Sequence, residues 1–243
     1  MVCPDSPPAP WAPAQSPNAG AIRYRELVRE DWDAVFELSR VIWYADSQEI
    51  ADEEVQLLAS LIDISLLLKR TNYGIVAEEV GSGRIVGVVS VATSEPPPKR
   101  VQGWHEVAIA RALERGEIIG AERGNDTGVQ LHAFEGEMRR YLTLTEARLD
   151  KRYDGEVTLL LVDTAYQGVG MGRALLEQGV AWLRAQGCTR IFLITDDSCD
   201  YRFYDHLGWT RAQEFKADLT IFGKLHETVE YIYELALKRV ASA

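Results

Sequence analysis

The stretch that most constrains this chain runs over residues 156–187, EVTLLLVDTAYQGVGMGRALLEQGVAWLRAQG. It opens with an apolar run at 157–162, too short for a helix and long enough for a buried strand. After a short connection, QGVGMG leads straight into a helical pattern in which Leu175, Leu176, Gly179, Val180 and Leu183 share one face. Gly187 supplies a stop, and Arg184 puts a cation in the last turn, where the helix dipole favours one. The spacing predicts strand, glycine turn, helix.

Glycines at 168, 170 and 172 have a physical use at a helix start. Without Cβ atoms the chain can turn with φ of either sign, and several backbone N–H groups can point at one object. These are the orphan donors of the first helical turn, they carry partial positive charge, and their natural guest is a phosphate or pyrophosphate. The turn is therefore read as an anion cradle made of backbone.

The spacing decides which anion. A dinucleotide site needs GxGxxG with an acidic residue about 20 positions on, whereas here the glycines run GxGxG and the downstream strand-end acid, Asp196, comes later. A nucleotide-triphosphate loop needs a Gly-Lys-Ser/Thr ending, which is missing. QGVGMG does match Gln/Arg-x-x-Gly-x-Gly/Ala, and with its flanking strand and the following RALL it resembles the acyl-CoA signature of the GNAT N-acetyltransferase superfamily. A second stretch agrees with it: FYDHLGW, ending at Trp209, is similar to the Phe-Tyr-x-x-x-Gly-Phe/Trp element that closes the same superfamily's core.

The resemblance implies an α/β (α+β) chain with the GNAT acyl-CoA N-acyltransferase fold, a mixed and mainly antiparallel sheet flanked by helices. It implies acetyl-CoA as acyl-donor cosubstrate, with the pyrophosphate on the turn formed by Gln167, Gly168, Val169, Gly170, Met171, Gly172 and Arg173. The thioester carbonyl and the pantetheine amides would bond to backbone around Leu161 and Val162, where strand pairing splays open. Tyr204, the tyrosine of Phe-Tyr, would protonate the CoA sulfur, since a phenol can donate once to a forming thiolate. Asp197 and Asp200 depart from the pattern, standing where many relatives carry Asn and Ala; Asp197 is then the candidate pantetheine contact, and it or Ser198 could cap the next helix.

Acetyl transfer to an amine also needs a base, because a protonated amine is no nucleophile. Asp163, Asp196, Glu135 and Glu137 are candidates by charge, beside a water chain to solvent. Cys3, Cys188 and Cys199 form no disulfide or zinc pattern, and Cys199 reads as a small helix residue. His105, His132, His206 and His226 are scattered, so no metal is expected. His206 is expected to face solvent; Trp32, Trp43 and Trp104 could line a groove, with core packing the default expectation.

A net charge of −11 disfavours nucleic acid as partner and would draw a cationic amine to an acid-edged cleft. The acceptor stays open among polyamines, aminoglycosides, amino-acid amines and protein amines. No apolar run is long enough to span a membrane. Residues 1–20, rich in Pro, Ala and Ser, read as a disordered lead without the basic start and apolar core of a secretory signal, and the cytoplasm is the expected address. A GNAT-fold module that binds acyl-CoA as a sensor, without turnover, is the rival reading.

The remaining elements follow in order. A first strand is expected at 22–27, an amphipathic helix from Asp31 to Trp43, and a second helix at 53–69; the resemblance sets these helices beside the acceptor groove. Gly81-Ser82-Gly83 joins strands 73–80 and 84–93 as a hairpin. Residues 95–155 then form a helical insertion before the central strand, with helices near 101–115 and 129–150. Its apolar content is too modest to bury a core alone, so one GNAT domain spans 21–243, with the insert over the acceptor side or at a homodimer contact. Strands at 190–195, 209–215 and 228–237 complete the sheet.

Overall fold

The computed structural model describes residues 21–95 and 104–238. The expected disordered lead at 1–20, and the residues at 101–103 where the first insert helix is expected to begin, lie outside them. The strands are β1 (Ile22–Glu26), β2 (Tyr73–Glu79), β3 (Ile85–Thr93), β4 (Gly155–Val162), β5 (Arg190–Asp196), β6 (Thr210–Ile221) and β7 (Lys224–Ala236). They form one sheet in the order β1-β2-β3-β4-β5-β7-β6. Every pair is antiparallel except β4 with β5, which run parallel.

Helices cover both faces. On one lies α5 (Met171–Ala185), whose Leu175 and Leu183 are fully buried against Val89, Val91 and Val157. Burying each such leucine contributes about 1.5–3 kcal/mol. The helix rests almost directly on the sheet, because a Cβ at Gly87 of β3 would come within 2.9 Å of Leu175 Cδ1. It ends as the sequence predicts: Gly187 takes φ 89°, and the N–H groups of Gly187 and Cys188 close back on the carbonyls of Arg184 and Leu183.

The opposite face carries α1 (Trp32–Ser39) and α2 (Glu53–Leu68). Asp31 precedes α1 without capping it; its buried carboxylate instead takes two hydrogen bonds from Arg25, both 2.7 Å, and one from Val28 N–H. After α1 the chain widens into a π-helical turn, Arg40–Tyr44, which turns Tyr44 into the core and leaves Trp43 exposed, against the core packing expected of it. Trp32 packs in the core beside Phe36.

α2 begins at Asp52, whose carboxylate accepts from Val55 N–H at 3.0 Å. We expect Asp52→Ala to lower the unfolding free energy by about 1 kcal/mol through loss of this cap. A shifted urea midpoint at constant slope would register it.

The insert forms α3 (Trp104–Arg123) and α4 (Thr127–Glu146). α3 runs on past the expected end at 115 because its glycines serve the crossing with α4. A Cβ on Gly116 would collide with Leu131, and one on Gly120 would reach 3.0 Å from Asn125 O. Ile119 of α3 and Leu131 and Phe134 of α4 are buried in one cluster with Ile62 of α2. The insert thus completes its core by sharing that of α2.

β6 and β7 are longer than the alternation suggests, since they meet in a two-residue turn at Phe222 (φ 46°) and Gly223 (φ 79°). A phenylalanine at positive φ gives no turn signal in the sequence. Here its ring packs on Phe134 of α4, with centroids 5.7 Å apart, and the hairpin tip is drawn back over the insert.

Candidate functional site

β4 and β5 are paired only at their first residues, Gly155 with Ile191, Glu156 with Phe192 and Val157 with Leu193. Beyond that they part. β4 continues to Val162 bonded to β3, while β5 continues to Asp196 bonded to β7. Leu161 and Val162 therefore border a gap in the sheet that opens toward the C-terminal ends of both strands. Backbone polar groups facing such a gap are left for a ligand or water.

The chain leaves β4 at this gap and enters α5 through the glycine turn. Asp163 pins the exit: its carboxylate accepts from Ala165 N–H at 2.9 Å and from Arg84 at 2.6 Å. Gly168 and Gly170 then take φ 77° and 86°, conformations that side-chain-bearing residues rarely adopt, and the space where their Cβ atoms would stand is open. Gly170 is the N-cap of α5 and offers no capping side chain. The first bond of the helix runs from Ala174 N–H to Gly170 O at 3.0 Å. The N–H groups of Gly168, Val169, Gly170, Met171, Gly172 and Arg173 meet no protein acceptor among the described residues. Consecutive free donors at the positive end of a helix form a site for phosphate oxygens.

Around the turn, Arg173 is exposed and paired with Glu177 at 2.7 Å, a surface pair that is readily exchanged. Gln167 lies on the surface, with its amide 3.4 Å from Val162 O. The buried Met171 anchors the first turn in the core.

Tyr204 lies on α6 (Arg202–His206), the short helix that follows β5. Its ring sits among Phe203, Trp209 and Tyr233, with centroids 5.2, 6.2 and 5.5 Å away. Burial, with the neighbouring Cys199 and Asp200 adding to it, holds the phenol well above its ordinary range, so it keeps its proton at neutral pH. The hydroxyl has no hydrogen-bond partner among the described residues and is free to donate.

Asp197 and Ser198 do not cap α6, which starts without a side-chain cap. Asp197 accepts from Val229 N–H at 3.1 Å and Thr228 Oγ1 at 2.8 Å and so braces β7, while Ser198 donates to Asp196. Glu135 is paired with Arg139. Glu137 holds Arg140 and accepts from Thr220 N–H at 2.9 Å, tying α4 to β6, and the arginine keeps its carboxyl below the usual range. Asp163, Glu135 and Glu137 thus have structural duties that compete with acting as a base. His206 is exposed, as expected.

A group of acids that the sequence reading did not single out stands on the α2 face beside the gap. Glu230 of β7 lies opposite Asp196 in the β5–β7 register and is only 1 % exposed. Tyr141 of α4 donates to its Oε2 at 2.6 Å. Asp63 of α2, 9 % exposed, accepts from Tyr44 at 3.0 Å. Burial pushes Glu230 up to about 7 despite Tyr141's hydrogen bond, with Asp196 and Asp197 adding to the rise. Burial likewise pushes Asp63 up to about 6, and Asp196 again contributes. These are carboxyls that exchange protons near neutral pH. An Asp in the middle of LLASLIDISLLL was the available sequence signal for Asp63, and the phase that Glu230 shares with the buried Ile232 was the signal for the glutamate. Among the described residues no group of three or more His, Cys, Asp or Glu is arranged to hold a metal ion. No helix among them is long and apolar enough to cross a membrane.

An open, mainly antiparallel sheet parted between two parallel strands, with a glycine-built helix start beside the gap, is the arrangement of the acyltransferase class that the sequence resembles. The profile of the acetyltransferase (GNAT) family matches residues 32–209, and the chain belongs to that family. A mycothiol acetyltransferase of Streptosporangium roseum is 44% identical over 59 residues, 24% of this chain and 18% of that protein. The chain thus matches only about a fifth of the length of these curated relatives. Among solved structures, an N-acetyltransferase of Staphylococcus aureus Mu50 superposes with TM-score 0.52 at 14% identity, covering 90% of this chain and 100% of its own. Ard1 of Thermoplasma volcanium superposes with TM-score 0.51 at 14% identity, covering 90% of this chain and 99% of its own. At these identities the structural likeness is one of fold.

Proposed function

We propose that residues 21–243 form one acetyltransferase domain with a helical insertion, which moves an acetyl group from acetyl-CoA to a primary amine by direct attack in a ternary complex. The observation that carries this reading is the run of unclaimed N–H groups from Gly168 to Arg173 beside the parted strands. The turn would take the CoA pyrophosphate, and backbone at Leu161 and Val162 would hold the pantetheine arm and polarise the thioester carbonyl. Tyr204 would then give its proton to the departing sulfur, for which its high pKa and free hydroxyl suit it. Asp197, committed to β7, would influence the arm through the strand it braces. The acidic surroundings of the gap favour an acceptor that arrives as an ammonium ion.

Calorimetric titration with acetyl-CoA tests this directly, with NAD and ATP as controls. Micromolar binding of acetyl-CoA alone is the expected outcome. Binding of either nucleotide in its place, or of none of the three, would overturn the donor assignment.

A further inference from the structure

We infer that Glu230 is the general base of the reaction and that the helical insert belongs to the catalytic apparatus, because Tyr141 of α4 holds that carboxylate in place at the mouth of the β4–β5 gap. The inference rests on the acetyl-CoA-dependent reading above.

Several facts single out Glu230. It is the strand partner of Asp196, the last residue of β5 and so a border of the gap. Asp196 is tied to its own loop, with the N–H and the hydroxyl of Ser198 both bonded to its Oδ1, and is less buried than Glu230. Glu230 Oε2 accepts from Tyr141 at 2.6 Å, while Oε1 bonds to no described residue. One oxygen fixes the orientation and the other is left to receive a proton. Tyr141 can play this part because burial and the glutamate keep its phenol protonated. α4 is itself held over the site from both sides, by its core shared with α2 and by its Arg140 and Glu137, which bond to Asp218 O and Thr220 N–H of β6. The groups facing Glu230 are Tyr141 from α4 and Asp196 and Asp197 from β5 and the loop after it, and Asp196 in turn acts on Asp63 of α2. Burial first, with the charges of Asp196 and Asp197 added and the Tyr141 hydrogen bond opposing, keeps the carboxyl near neutrality.

An ammonium acceptor gives one proton to Glu230 Oε1, and the freed lone pair forms the C–N bond at the thioester carbonyl carbon. As the oxyanion collapses the C–S bond breaks, and sulfur takes the Tyr204 proton. The nitrogen loses its second proton to solvent, solvent reprotonates Tyr204, and Glu230 releases its proton to bulk. The sum is an ammonium and acetyl-CoA converted to an amide, CoA thiol and one proton.

The test follows thiol release with spermidine as amine probe, across pH, alongside acetyl-CoA titration of each variant. Wild-type kcat should rise with pH through about 7, the value to which Glu230 is raised. E230Q should lose that rise and fall at least about tenfold near pH 7.5, with acetyl-CoA affinity unchanged. Y141F should lower activity near pH 7 and move the rise to higher pH, because the carboxylate loses a donor; a merely structural tyrosine would lower activity without moving the rise. An unaltered profile in E230Q, or a rise that survives E230Q and disappears in D63N, would overturn the assignment. Acetyl-CoA binding by wild type without thiol release above background would overturn it too, by favouring a non-catalytic binder. Loss of acetyl-CoA binding by wild type would instead sink the donor reading on which it rests.

Discussion

Gly170→Glu is expected to weaken acetyl-CoA binding at least about 100-fold, equivalent to about 2.7 kcal/mol. Two effects add. Gly170 sits at φ 86°, where a side chain strains the turn by about 1–2 kcal/mol and disturbs the aim of the neighbouring N–H groups. The carboxylate would also stand among donors that otherwise face open space, and would compete with a phosphate for them. Gly170→Ala carries the strain without the charge and should lose less, so the pair separates the two causes. Calorimetry reads the affinity, and circular dichroism checks that the fold survives. Unchanged affinity in the glutamate variant would remove the anion site from this turn.

For Tyr204→Phe the expected result is a fall in kcat of about 100-fold or more, with acetyl-CoA affinity within about twofold of wild type. The ring contacts with Phe203, Trp209 and Tyr233 persist in the phenylalanine, and among the described residues the hydroxyl has no hydrogen-bond partner that its removal could strand. Loss of stability should therefore be small, and loss of turnover would report proton donation. Stopped thiol release with spermidine separates the two readily. Full retained turnover would remove the acid role and turn attention to a water at the sulfur.

Comparison of chain and structure shows which physics is local. The turn from Gln167 to Gly172 was legible because its chemistry is backbone chemistry: glycine at set positions frees N–H groups, and the apolar run before it and the helical face after it are periodic in the sequence. The short helix that carries Tyr204 was legible through FYDHLGW, because the motif is contiguous. Asp197 shows where this fails. Its neighbours in sequence suggested a helix cap, yet its partners are Val229 and Thr228 on a strand more than thirty positions away.

The insert makes the same point on a larger scale. That residues between β3 and β4 would be helical followed from composition and periodicity. That Gly116 would let α4 cross α3, that Phe222 would pack on Phe134, and that Tyr141 would reach Glu230 all depend on which surfaces meet. The sequence by itself determined the sheet's elements, the glycine turn and the family, because these rest on residue periods and on φ preferences within a few positions. Only the tertiary structure decided that Asp63, Asp196 and Glu230 share one place. Carboxyls far apart in the chain acquire perturbed acidities only when packing removes water from around them and brings their charges within reach of one another.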